Sequence, residues 1–154
     1  MEECHGEEFE AFFHDVMTRR YEDYTAIRTQ GRLGDQGADG LRLGARKLYA
    51  CYSPETPDMD KVSAKFWSDL KSAVRQRSRE FDTFVFVFNN KRGTHPQVAT
   101  LLADAGAAYP ALSFESMGTR KLWHQVMRLE KEECEDLFGV IPVEAVVYDF
   151  GREN

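Results

Sequence analysis

Six consecutive residues, Thr83-Phe84-Val85-Phe86-Val87-Phe88, constrain this chain more than any others. All six favour extended backbone and five are large and apolar, on both parities of the strand period, so neither side of such a strand can face water. The run belongs inside a sheet with helices above and below, and the remaining sequence must supply those layers.

The flanks are suited to it. Phe9, Phe12, Phe13, Val16 and Met17 recur at helical spacing, which predicts an amphipathic helix from Gly6 to Arg20 with Glu10 on the shoulder of its apolar arc. Thr25 to Gln30 reads as a strand, and Asp39 to Leu43 with Lys47 to Tyr52 as a hairpin joined across Gly44. Ser53-Pro54-Glu55-Thr56-Pro57 ends the pairing. A second helix is expected from Asp58 to Arg79, with Val62, Phe66, Leu70, Ala73 and Val74 on one face and Lys61, Lys65, Lys71, Arg75 and Arg79 on the opposite arc. After the core strand and the break at Asn89 to Gly93, a helix from His95 to Ala108 carries Pro96 in its first turn. Ala111 to Glu115 reads as a strand, Thr119 to Leu129 and Lys131 to Phe138 as helices stopped by Gly139, and Val143 to Phe150 as a last strand. The expectation is an α/β fold with a central mixed sheet flanked by helices. Its order is helix, three strands, helix, strand, helix, strand, helices. No repeat, linker or low-complexity tract divides it, so residues 1–154 form one domain.

Charge narrows the partners. Twenty basic against 26 acidic side chains leave a net charge of −6, so any contact with nucleic acid must be local. From Arg19 to Lys47 seven basic residues meet four acidic ones, and from Lys61 to Arg79 six meet one, which makes these two segments the candidates for phosphate contacts. Cys4, Cys51 and Cys134 are scattered and odd in number, which speaks against a disulfide framework and for a reducing compartment. With no apolar run of ~20 residues and an acidic beginning, the expectation is a cytoplasmic protein without a membrane partner.

The chemistry is concentrated in Gly34-Asp35-Gln36-Gly37-Ala38-Asp39-Gly40. Glycines permit a tight turn that holds a carboxylate rigidly at the head of a strand, and such a group can fix a divalent cation beside a phosphate. The start of an EF-hand loop has a similar pattern, but its twelfth position would be Arg46 in place of a bidentate glutamate. Cys4, His5 and His14 lack zinc-ligand spacing. Phe66, Trp67, Phe84, Phe86 and Phe88 sit at helix or strand spacing and read as core.

The helix pair Phe9-Glu10, the turn Gly34 to Gly40 and the order of elements together resemble the PD-(D/E)xK restriction-endonuclease-like superfamily, in its Mrr-like branch, over roughly the first 116 residues. The resemblance implies a metal-dependent DNA endonuclease, an effector of nucleic-acid defence or processing, that uses magnesium or manganese to hydrolyse phosphodiesters. It implies that Asp39 and Glu10 bind the metal together with the main-chain carbonyl of Cys51, and that Asp35 is structural. Asp39, Glu10 and Tyr52 become the catalytic candidates. Arg32, Arg42, Arg46, Lys47, Lys91 and Arg92 become the candidates for nucleic-acid contacts. The implied partners are duplex DNA, a sensor region or partner chain, and a second copy of the chain in a homodimer.

The third strand departs from the family. Ala50 stands where a glutamine or glutamate belongs and Tyr52 where a lysine belongs, on the same face of the strand. Alanine binds no metal, and a phenol carries no positive charge at neutral pH. Lys47 falls on the other face, and Lys91 is a candidate for a relocated lysine. The alternative function is therefore a catalytically inactive nuclease-fold module that binds nucleic acid or a partner protein.

Overall fold

The computed structural model describes residues 6–27, 38–52, 58–89 and 96–138. In chain order these form α1 (Gly6–Arg20), β1 (Tyr24–Ala26), β2 (Gly40–Arg42), β3 (Lys47–Tyr52), α2 (Met59–Arg77), β4 (Thr83–Phe88), α3 (Pro96–Ala108), β5 (Ser113–Met117), α4 (Thr119–Val126) and α5 (Lys131–Leu137). The expected order is present throughout. The strand anticipated at 143–150 lies outside the described residues, as do 28–30 of the first strand.

The five strands make one mixed sheet in the order β1-β2-β3-β4-β5. β1, β2 and β3 are antiparallel neighbours, whereas β3, β4 and β5 run parallel. This split follows from the connections. A four-residue turn reverses β2 into β3, whereas a parallel return needs a long crossover, and α2 and α3 provide the two that are required. α2 is capped by Asp58, whose side chain accepts from the amides of Asp60 and Lys61 at 3.1 and 3.4 Å.

All six residues of β4 are buried, and their alternation divides the core in two. Phe84, Phe86 and Phe88 join Leu48, Ala50 and Tyr52 of β3 under Phe66, Leu70 and Ala73 of α2 and Val98, Leu101 and Ala105 of α3. Val85 and Val87 join Tyr49 and Cys51 on the other side, under Phe9, Phe13, Val16 and Met17 of α1 and Leu122 and Val126 of α4. Burying a side chain of this size contributes roughly 1.5–3 kcal/mol, so a strand that does so on both faces is the thermodynamic centre of the domain.

The hairpin is joined across Gly44 as expected, and among the described non-glycine residues the left-handed backbone of the β2–β3 turn falls on Arg46 (φ 56°). That conformation costs roughly 1–2 kcal/mol in a non-glycine residue. It is offset by the Arg46 carbonyl, which accepts from the amides of Asp82 and Thr83, and by its guanidinium, which donates to the Arg79 carbonyl at 2.8 Å. No helix among the described residues is long and apolar enough to cross a membrane.

Candidate functional site

Asp39 sits where β2 begins to diverge from β3. Its amide donates to the Tyr49 carbonyl at 2.8 Å, its carbonyl accepts from the Ile27 amide at 2.8 Å, and its side-chain Oδ2 accepts from the Cys51 amide at 2.7 Å. The carboxylate therefore completes the pairing of β3 with its own side chain, which explains why an acid is tolerated at only 9% exposure. In an extended strand the amide and carbonyl of one residue face the same neighbour, so the Cys51 carbonyl is directed toward the Asp39 side of β3.

Glu10 reaches this point from α1. Its carboxyl is close enough to Asp39 to be influenced by it and lies 3.5 Å from His14 Nε2. The hydrogen bond and charge of His14, with smaller contributions from Asp39 and Lys65, hold the Glu10 carboxyl below its ordinary value of 4.5 against the opposing effect of burial. His14 in turn is fixed by Tyr24, whose hydroxyl is 2.6 Å from Nδ1. Tyr24 needs Gly40: a Cβ there would stand 2.1 Å from the Tyr24 hydroxyl oxygen. The glycine that ends the turn motif thus makes room for the phenol that orients the histidine beside Glu10.

The two acids and Cys51 lie near one another. Burial pushes the Cys51 thiol well up, and the nearby charges of Asp39 and Glu10 push it further. Among the described residues no three His, Cys, Asp or Glu side chains are grouped to hold a metal ion, so a cation here would rest on two carboxylates, main-chain oxygen and water. Those are hard oxygen donors of the number magnesium accepts from a protein.

Tyr52 is placed differently from an open catalytic phenol. It is 3% exposed, stacked on Phe86 with centroids 4.5 Å apart, and its hydroxyl donates to Asp69 Oδ2 at 2.9 Å. Burial first, and the Asp69 carboxylate second, push its ionisation well above the ordinary range. Ala50 is buried beside it under α2.

The basic candidates among the described residues are not at the acid pair. Arg42, Arg46 and Lys47 belong to the β2–β3 hairpin at the opposite end of β3, ~17 Å from Tyr52 for five residues of extended chain. Each has an acidic partner: Arg42 Nε meets Asp23 at 2.9 Å, Arg46 Nε meets Asp82 at 3.4 Å, and Lys47 Nζ meets Glu115 at 3.1 Å. Arg42 also lies over the Tyr21 ring, 3.7 Å from its centroid. Arg32, Lys91 and Arg92 lie outside the described residues.

Sequence reasoning did not single out Tyr24 or Asp69, weighed His14 only as a zinc ligand, and placed Lys65 only within a basic helix segment. The i,i+4 spacing of Glu10 with His14, and of Lys65 with Asp69, was the available signal. The chain matches no family model, and neither curated proteins nor solved structures show a significant match to it.

Proposed function

We propose that this domain is a metal-dependent nuclease of restriction-endonuclease-like fold, related to the Mrr-like branch of the PD-(D/E)xK superfamily, acting on duplex DNA in nucleic-acid defence or processing. The observation that carries this reading is the meeting of Glu10 and Asp39 at the end of a mixed sheet where β2 parts from β3. Glu10, Asp39 and the Cys51 carbonyl would hold a magnesium or manganese ion. When bound, the ion supplies Lewis acidity toward phosphate and water. The chain's own residues prepare the place for it. The Cys51 amide fixes the direction of the Asp39 carboxylate, and His14 keeps Glu10 ionised and so able to accept. The buried strand beneath excludes water from the protein side of the site.

A second reading has its own support. With Ala50 and Tyr52 both packed under α2, the two motif positions of the third strand offer no carboxylate and no lysine, as in a nuclease fold retained only to bind nucleic acid or a protein partner. One experiment separates the two. Plasmid and linear duplex DNA are incubated with magnesium or manganese and the wild type, Asp39→Asn or Glu10→Gln. The nuclease reading expects cleavage by the wild type and a loss of 100-fold or more in each variant, on the order expected when a group stabilising the transition state is removed. Salt-sensitive retention of DNA without cleavage assigns the binding module. Cleavage by Asp39→Asn at the wild-type rate sinks the proposed site.

A further inference from the structure

The cation absent from position 52 of β3 has a counterpart on α2. Lys65 Nζ lies 4.9 Å from the centroid of the Tyr52 ring and donates to Asp69 Oδ2 at 2.7 Å. That same oxygen accepts from the Tyr52 hydroxyl at 2.9 Å. A chain of three side chains thus runs from strand to helix, in which Tyr52 fixes Asp69 and Asp69 fixes the ammonium of Lys65. An ordinary i,i+4 pair on a helix surface is worth only about 0.3–0.5 kcal/mol and holds its partners loosely. Here Asp69 is 17% exposed and anchored from the sheet, whereas Lys65 remains 54% exposed. The anchor is buried and the charge faces solvent.

Tyr52 follows Cys51, whose amide binds Asp39, so the ammonium stands over the same end of β3 as the acid pair. α1 and α2 pack on opposite faces of the sheet. Glu10 therefore approaches from one face and Lys65 from the other, and a phosphate lying across the end of the strand would meet both.

We propose that Lys65, held by Asp69 and Tyr52, is the residue that binds a phosphate oxygen of the nucleic-acid backbone at this site, replacing from the helix the charge that position 52 of the strand lacks. A lysine ammonium has three donors, and at 54% exposure this one is accessible to a phosphate oxygen beside Asp69. The inference rests on the nuclease-fold reading above for its ligand, and the tyrosine, foreign to the family's strand motif, acquires a positioning role through it.

The test compares wild type, Lys65→Met, Lys65→Arg, Asp39→Asn and, as a charge control on α5, Lys131→Met, with two readouts: manganese-dependent cleavage of duplex DNA and salt-dependent binding of the same duplex by fluorescence anisotropy. Lys65→Met should lower cleavage about 100-fold or more and weaken binding, with part of the binding restored by Lys65→Arg and none of the effect seen in Lys131→Met. In the double variant with Lys65→Met, Tyr52→Phe should add no further loss, because it acts through the lysine. Equal cleavage by wild type and Lys65→Met, with Asp39→Asn inactive, overturns the role of Lys65 and leaves the nuclease reading intact. Absence of cleavage in all, with binding lost only in Lys65→Met, supports Lys65 and refutes the nuclease. Binding of inorganic phosphate without DNA, abolished in Lys65→Met, supports the phosphate contact and assigns the ligand as free phosphate. Neither cleavage nor any binding that depends on Lys65 overturns both.

Discussion

The side chain of Asp39 takes a 2.7 Å hydrogen bond from the backbone amide of Cys51, twelve residues away, so one carboxylate pairs two strands and belongs to the acid pair at once. Removing it has two effects that must be separated. Asp39→Ala leaves a buried amide without its partner and should lower stability by about 1–3 kcal/mol. Asp39→Asn retains an oxygen that can accept and should lose much less. Urea denaturation of both variants checks this, and equal midpoints for wild type and Asp39→Ala would remove the structural role.

Gly40 faces a similar test. A methyl group at this position meets the hydroxyl and ring of Tyr24, which is 7% exposed and has little room to retreat. Gly40→Ala should destabilise by roughly 1–3 kcal/mol, the usual range for overpacking. It should also displace the His14 contact, visible as a shift of the His14 ring resonances by NMR.

Stability in acid should depend on Glu10. Its carboxyl titrates below the ordinary 4.5 in the folded protein, chiefly through the hydrogen bond from His14, so the ionised form favours folding. The contribution is fully present above the unfolded value and is lost as pH falls through the lowered native value. Between about pH 3 and 6, Glu10→Gln should therefore show a shallower fall in denaturation midpoint than the wild type. His14→Gln should move the Glu10 carboxyl resonance titration upward. An unchanged titration would deny His14 its part.

Rebuilding the family's strand motif should fail. Ala50 is 1% exposed and Tyr52 3%, both within the core under α2. Ala50→Glu with Tyr52→Lys inserts two charges where effective desolvation costs several kcal/mol per ion. It also frees Asp69 of its phenol. Loss of the cooperative thermal transition is the expected result, and a well-folded double variant would show that the sheet end opens more than its packing indicates.

The layers were legible because β4 is apolar on both parities and the helices carry clear 3.6-residue stripes. Glu10 and Asp39 stand out in the sequence because of their local motifs, but that they lie near each other is visible only in the fold. The destination of Tyr52 was not: its burial depends on Phe86 from β4 and Asp69 from α2, contacts that no local spacing encodes. The pairing of Arg42, Arg46 and Lys47 was hidden for the same reason, since Asp23, Asp82 and Glu115 come from three other parts of the chain. Counts of charge along a segment do not reveal which charges are already spoken for.

The division of β4 between two cores bears on how its register is chosen. In a half-exposed strand, polarity rejects a slip of one residue, because apolar side chains would be turned into water. β4 has no such signal, being buried throughout. What differs between its sides is volume: three phenyl rings lie toward α2 and α3, and two isopropyl groups lie toward α1 and α4. A slipped strand would press rings into spaces shaped for valine and leave voids opposite, penalised on both sides by overpacking and cavities. Alignment of the central strand is thus encoded in size, and exchanging Val85 and Val87 for phenylalanine while Phe84 and Phe86 become valine would invert the code without altering a single polar group.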